Sequence, residues 1–247
     1  MNWTPSPASH AQTSVASEQR RLEQLDQTEE DDFTALPLIG ARISSLPVFT
    51  DAPGDEATTR AEYALIRARA KTADRLVKRG NFDEAVALML NTETLLKNAS
   101  LRATALNRVA AYYFRSQDYK KAADYMRQAW ATSPGDVANA CNLSAVLLTI
   151  GEVDEALNLL LQVYGQVFDH PQLAFPVHFN LACAYSLKGE NSKALQNLLI
   201  AARADPAAVF TAIGDPNLDP IREEAGFVRI YKTLVGMMQP SAEAAKP

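Results

Sequence analysis

Four short stretches share one pattern: Gly80-Asn81-Phe82-Asp83-Glu84-Ala85, Gln117-Asp118-Tyr119-Lys120-Lys121-Ala122, Gly151-Glu152-Val153-Asp154-Glu155-Ala156 and Gly189-Glu190-Asn191-Ser192-Lys193-Ala194. Their alanines recur at intervals of 34 to 38 residues, a period that marks an array of helix-turn-helix units. The leading Gly, or Gln117 in the second stretch, is placed to end a helix in the left-handed conformation that a residue without Cβ adopts cheaply. The closing Ala sits where the second helix of a unit (B) crosses the first (A), and bulk there would force the axes apart.

Working outward from the turns, Leu76, Tyr113, Leu147 and Tyr185 fill a bulky position late in each A helix. Thr72-Ala73, Val109-Ala110, Leu143-Ser144 and Leu181-Ala182 supply a larger-then-small pair before it, which gives each A helix an inward stripe. Beyond the turns, Met89, Met126, Leu160 and Leu198 pack four residues after the Ala, and Pro134 and Pro206 are read as the stops of the second and fourth units. These positions carry a resemblance: from about residue 66 to 206 the chain resembles the tetratricopeptide-repeat (TPR) family. It departs from the family pattern at Arg69, where a large apolar residue is usual, at Lys97, where Pro is usual, and at Phe168, which ends the third unit.

The expectation is an all-α TPR solenoid of helical hairpins wound as a right-handed superhelix, with hairpins at about 66–99, 103–136, 137–170 and 175–206 inside a folded stretch of 56–206. A terminal repeat needs a cover with one polar side, and residues 207–236 are assigned as that cap. Within it, Asp215-Pro216-Asn217-Leu218-Asp219-Pro220-Ile221-Arg222 is similar to the stretch that often closes bacterial members of the family. Residues 1–55 are rich in Ser, Thr, Pro and Gln, with an acidic run over 23–32. Such composition cannot offset its ordering entropy, so 1–55 and 237–247 are expected to be disordered tails.

Composition narrows the function. The net charge of −5 argues against nucleic acid, whose binding needs clustered unpaired cations. No stretch is long and apolar enough for a membrane span and no signal-type apolar segment follows Met1, so a cytoplasmic location is expected. Cys141 and Cys183 are the two cysteines; without CxxC spacing they read as packed thiols. Of three histidines, His10 lies in the tail, His170 precedes Pro171, and His178 stands at an apolar A-helix position, where packing is favoured over catalysis. No glycine-rich phosphate loop or Gly-x-Ser-x-Gly context is present, so no enzymatic activity, cofactor or metal is expected. Asp215 to Asp219 superficially suit a calcium loop, but Pro220 replaces its Gly and Gly226 its bidentate Glu.

The resemblance implies a concave groove lined by the A helices and a protein or peptide partner. Register places Arg67, Asp74 and Lys78 of the first unit, and Asn107, Phe114 and Arg115 of the second, on its floor. Cys141 and Leu148 of the third unit and Phe179, Cys183 and Leu187 of the fourth complete it. This floor would be charged at one end and apolar at the other. At the places where some members clamp a chaperone's C-terminal carboxylate, this chain has Ala70, Asp74, Arg108, Ala138 and Asn142. Only Arg108 and Asn142 suit that role, which disfavours a chaperone-tail co-receptor. The preferred reading is a non-enzymatic adaptor or assembly scaffold. The alternative is a secretion-type chaperone, since residues 171–183 resemble one repeat of such proteins. Two tail segments, Leu36-Pro37-Leu38-Ile39 and Leu46-Pro47-Val48-Phe49, are partly preorganised by proline as extended ligands for the partner or for the chain's own groove.

Overall fold

A computed structural model describes residues 56–168 and 173–238, so the tails, both Leu-Pro segments, His10 and His170 lie outside the described residues. The described elements are α-helices and short 3-10 turns. Helices α1 (Glu56–Lys78) and α2 (Phe82–Leu95) form the first hairpin, α3 (Ala99–Arg115) and α4 (Tyr119–Thr132) the second. The third pairs α5 (Val137–Thr149) with α6 (Val153–Val163), and α6 runs on as a 3-10 turn over Tyr164–Phe168. The fourth pairs α7 (Ala174–Leu187) with α8 (Asn191–Ala204). Helix α9 (Pro206–Ala212), a 3-10 turn (Pro216–Ile221) and α10 (Ala225–Met238) follow. Each hairpin packs on the next, and the core contains a large cluster from Ala110 to Leu234 and a smaller one from Leu65 to Tyr112, with Tyr113 and Tyr125 packed against both.

The repeated turn works as its sequence dictates. Gly80, Gly151 and Gly189 have φ of 85°, 80° and 72°, and Gln117 reaches 64° in the same place. This left-handed residue lets the next N–H reach back along helix A. Asn81, Asp118, Glu152 and Glu190 donate to the carbonyls of Leu76, Tyr113, Leu147 and Tyr185 at 2.8–3.0 Å, satisfying carbonyls that a helix end otherwise leaves open. Ala85, Ala122, Ala156 and Ala194 are fully buried at the helix crossings, as are Met89, Met126, Leu160 and Leu198 one turn further on. Starts are capped too: the side chains of Asn98, Asp118 and Asp136 accept the N–H groups of Leu101, Lys121 and Asn139.

The structure shows what three residues singled out in the sequence do. Pro206 does not simply end the fourth unit; it opens α9 at a position where its missing N–H costs nothing, with Asp205 as the cap accepting from Ala208 N–H at 2.8 Å. Arg69, at an apolar position of the family pattern, is 5% exposed and donates to Asn91 Oδ1 at 2.8 Å, so a polar link replaces apolar contact between α1 and α2. His178 is buried with Nδ1 2.8 Å from Asn197 Oδ1 and the Tyr164 ring edge-on at 5.4 Å, which makes it a packing residue.

The cap explains its own motif. Leu218 and Ile221 are fully buried where the 3-10 turn packs on α7. Asp215 accepts Asn217 N–H at 2.9 Å, while the Arg222 guanidinium donates to the carbonyls of Ile213 and Asp215, both at 3.2 Å, and to Asp219 at 2.6 Å. These carboxylates thus serve a helix cap and an ion pair.

Candidate functional site

The geometry of the stack identifies its inner side. Helices α1, α3 and α5 each touch the A helix of the following unit, whereas α2, α4, α6 and α8 have no comparable contact with one another. In a curved stack the more closely spaced layer lies inside, so the A helices line the concave face.

On that face the candidate residues separate into three groups. Arg67, Lys78 and Arg115 are exposed, and Arg67, Asp74 and Lys78 share one side of α1 because they stand at i, i+7 and i+11. None of these three cations has an ion-pair partner among the described residues. A second group is turned to holding the stack together. Asp74 accepts from the Tyr112 hydroxyl at 2.7 Å and has the Arg108 guanidinium 3.6 Å away. Burial, and then the Asp74 carboxylate, push the Tyr112 phenol well above its usual range, and Arg108 and Arg115 lie near enough to oppose the shift. Asn107 is half-buried and donates through Nδ2 to Asn139 Oδ1 on α5. Phe114 is half-buried with its ring 4.9 Å from Tyr119 across the second turn.

The third group corrects the expected apolar floor. Cys141 and Leu148 are each 4% exposed, Phe179 and Cys183 1%, so these side chains are core rather than contact surface. Only Leu187 remains exposed, at 38%. The C-terminal end is closed because the cap turn packs over α7, with Asp215 near enough to help raise the Cys183 thiol after burial itself. The Cys141 thiol is pushed up to about 12 by burial, with a smaller contribution from Asp136. The accessible inner face therefore lies over α1 and α3, and it is basic.

Each joint between hairpins carries a polar bond that sequence reading missed. Glu62 is 6% exposed, and its two carboxylate oxygens accept the N–H groups of Lys97 and Asn98 at 3.0 Å each. Asn180 donates to Cys141 O and Ser144 Oγ at 3.0 Å, so an asparagine bridges α7 to α5 as Asn107 bridges α3 to α5. The signal available was an Asn within the apolar stretch of successive A helices, which has no reason to be there unless paired. On the outer side Arg127 of α4 grips Glu155 through two bonds of 2.7 and 3.0 Å and also meets Glu152, and Lys188 pairs with Asp154.

Residues 113–175 match the family model described as Tetratricopeptide repeat. No curated protein matches the chain. Among solved structures, BtubC (BKLC) from P. vanneervenii is 16% identical with a TM-score of 0.61, over 94% of this chain and 90% of that one. The TPR-like repeats of a putative kinesin light chain from Podosopora anserina are 20% identical with a TM-score of 0.53, over 76% and 100%. MamA 41-end from Desulfovibrio magneticus RS-1 is 19% identical with a TM-score of 0.50, over 71% and 97%. At these identities the likeness is one of fold. Among the described residues no helix is long and apolar enough to cross a membrane. The fourfold turn motif, the hairpin solenoid that it builds and the match of residues 113–175 to the family model give this chain the tetratricopeptide-repeat fold.

Proposed function

We propose that the protein is a non-enzymatic adaptor or assembly scaffold that holds a segment of another polypeptide against the inner face of α1 and α3. The observation that carries this reading is the division of that face: on its C-terminal half Cys141, Leu148, Phe179 and Cys183 are buried and the cap turn packs on α7, while Arg67, Lys78 and Arg115 stand exposed on the other half. Exposed cations held on rigid helices cost little to organise around a ligand. Half-buried Phe114 and Val77 border them and offer apolar contact. The Leu36–Ile39 and Leu46–Phe49 segments add contacts of their own in this reading, and the site of action is the cytoplasm, where the buried free thiols Cys141 and Cys183 stay reduced.

The test is affinity capture with the full chain, followed by the same capture with Arg67→Glu and Arg115→Glu together. A partner that binds the parent stoichiometrically should be lost by at least about tenfold, the consequence of reversing two contacts worth roughly 1 kcal/mol each. Equal recovery by both chains refutes the assignment of the face. One observation favours a chaperone instead: Phe210, Val228, Tyr231, Met237 and Met238 leave apolar side chains exposed on the cap. A client that precipitates without this protein, and whose capture ignores the two charge reversals, would support that reading.

A further inference from the structure

The charge of the chain is divided very unevenly. Residues 1–55 contain nine acidic side chains and three arginines, a net −6, so the remaining residues carry +1 of the total −5. Six of the nine acids, Glu23, Asp26, Glu29, Glu30, Asp31 and Asp32, fall within residues 23–32, where no cation stands. Against this, the open half of the inner face presents Arg67, Lys78 and Arg115 without ion-pair partners among the described residues, and its one carboxylate among them, Asp74, is held by Tyr112 and Arg108. We infer that the acidic segment of residues 23–32 docks on the basic inner face of α1 and α3 and occupies the site at which a partner binds.

Reach allows it. Residues 33–55 connect the segment to α1 and span up to about 80 Å when extended. Arg67 and Lys78 lie only about 17 and 33 Å along α1 from its first residue, at 1.5 Å per residue. Tethering replaces a bimolecular encounter with an effective concentration in about the millimolar range, so even weak pairing fills the site. Multiple opposite charges, none of them buried in the docked state, make the contact strong at low salt and weak at high salt. A partner then has to displace the segment. The inference rests on the reading of this face as the binding site, and it assigns the face an acidic ligand class.

The experiment uses the full chain with Gln27→Cys and Ser116→Cys labelled as a fluorescence donor and acceptor pair. Ser116 is exposed beside Arg115, and Cys141 and Cys183 are buried, so the parent chain takes up no dye and serves as the control. Energy transfer is measured at 10 mM and 1 M NaCl, between which the screening length falls from about 30 Å to about 3 Å. Docking predicts high transfer at low salt that falls by about half or more at high salt, and the same fall at low salt in the Arg67→Glu, Lys78→Glu, Arg115→Glu chain. Adding Glu29→Lys, Glu30→Lys, Asp31→Lys and Asp32→Lys to that chain should restore transfer, since the charges are then exchanged.

Transfer that ignores both salt and substitution overturns the inference, including the case in which it stays high because the Leu-Pro segments hold the tail. Transfer seen only between separately labelled chains, and rising with concentration, also overturns it in favour of a second copy. The salt arm needs no substituted face, so misfolding of a variant cannot mask the result. Failure here leaves the partner-binding reading standing, because that is scored by capture of a partner and not by the position of the tail.

Discussion

Substituting Glu62 should loosen the first joint of the solenoid more than any surface change of similar size. Both carboxylate oxygens accept backbone N–H groups, from Lys97 and Asn98 at 3.0 Å, and the residue is 6% exposed. Hydrogen bonds to a charged acceptor contribute about 1.5–3 kcal/mol each, and the cost of burying the carboxylate offsets part of that sum. Glu62→Gln keeps the volume and one acceptor but aims an amide N–H2 at a backbone donor, so it should cost about 1.5–3 kcal/mol. Glu62→Ala leaves both donors open; because Lys97 is exposed, water reaches one of them and the cost stays near 3–4 kcal/mol. Hydrogen exchange read at Lys97 and Asn98 is the sharpest assay, because repeat proteins open locally and a single melting transition averages over units. A loss of about 2.7 kcal/mol in the opening free energy corresponds to exchange about 100 times faster. If the two amides in Glu62→Ala exchange as in the parent while α1 stays helical, the carboxylate is not what holds this turn and the reasoning fails.

Other expectations concern the turns, the crossings and the thiols. Ala156→Leu places bulk at a fully buried crossing and should cost about 1–3 kcal/mol, spreading to neighbouring units; denaturant unfolding that matches the parent would show that α5 and α6 do not meet there. Gly151→Ala has open space around the new Cβ yet must hold φ near 80°, so it should lose about 1–2 kcal/mol through backbone strain alone. Gln117→Gly relieves that strain in the second turn and should gain a few tenths to about 1 kcal/mol by the same assay. The buried thiols should resist a thiol reagent in the native protein and react on unfolding. Burial raises the Cys141 pKa from 9.0 to about 12, so the folded chain holds a proton that the unfolded chain releases. Stability from this group is therefore complete below about pH 9 and declines as pH rises towards 12; a Cys141→Ala chain with the same alkaline decline would refute that share.

Fold class was legible because its signals are local. A left-handed residue at the end of helix A and a small residue at the crossing are requirements of a single hairpin, and they recur at a period that chance does not supply. Even Gln117, which breaks the glycine pattern, adopts the left-handed conformation that the pattern required. Register also put Arg67, Lys78 and Arg115 on an open face, since exposure of a charged side chain on a helix side needs little tertiary information.

What register could not say is which of the remaining inner positions stay open once the hairpins close on one another. Phe179 and Cys183 stand where a groove floor would be, but both are buried where α7 packs among its neighbouring helices and the returning cap turn, and that packing depends on contacts far along the chain. Asp74 and Asn107 look like groove ligands by spacing and are instead bonded across the joints to Tyr112 and Asn139. Helical periodicity specifies which side of a helix a residue occupies; whether that side meets solvent, a partner or the next hairpin is decided by packing between units, where an unpaired polar group is costly.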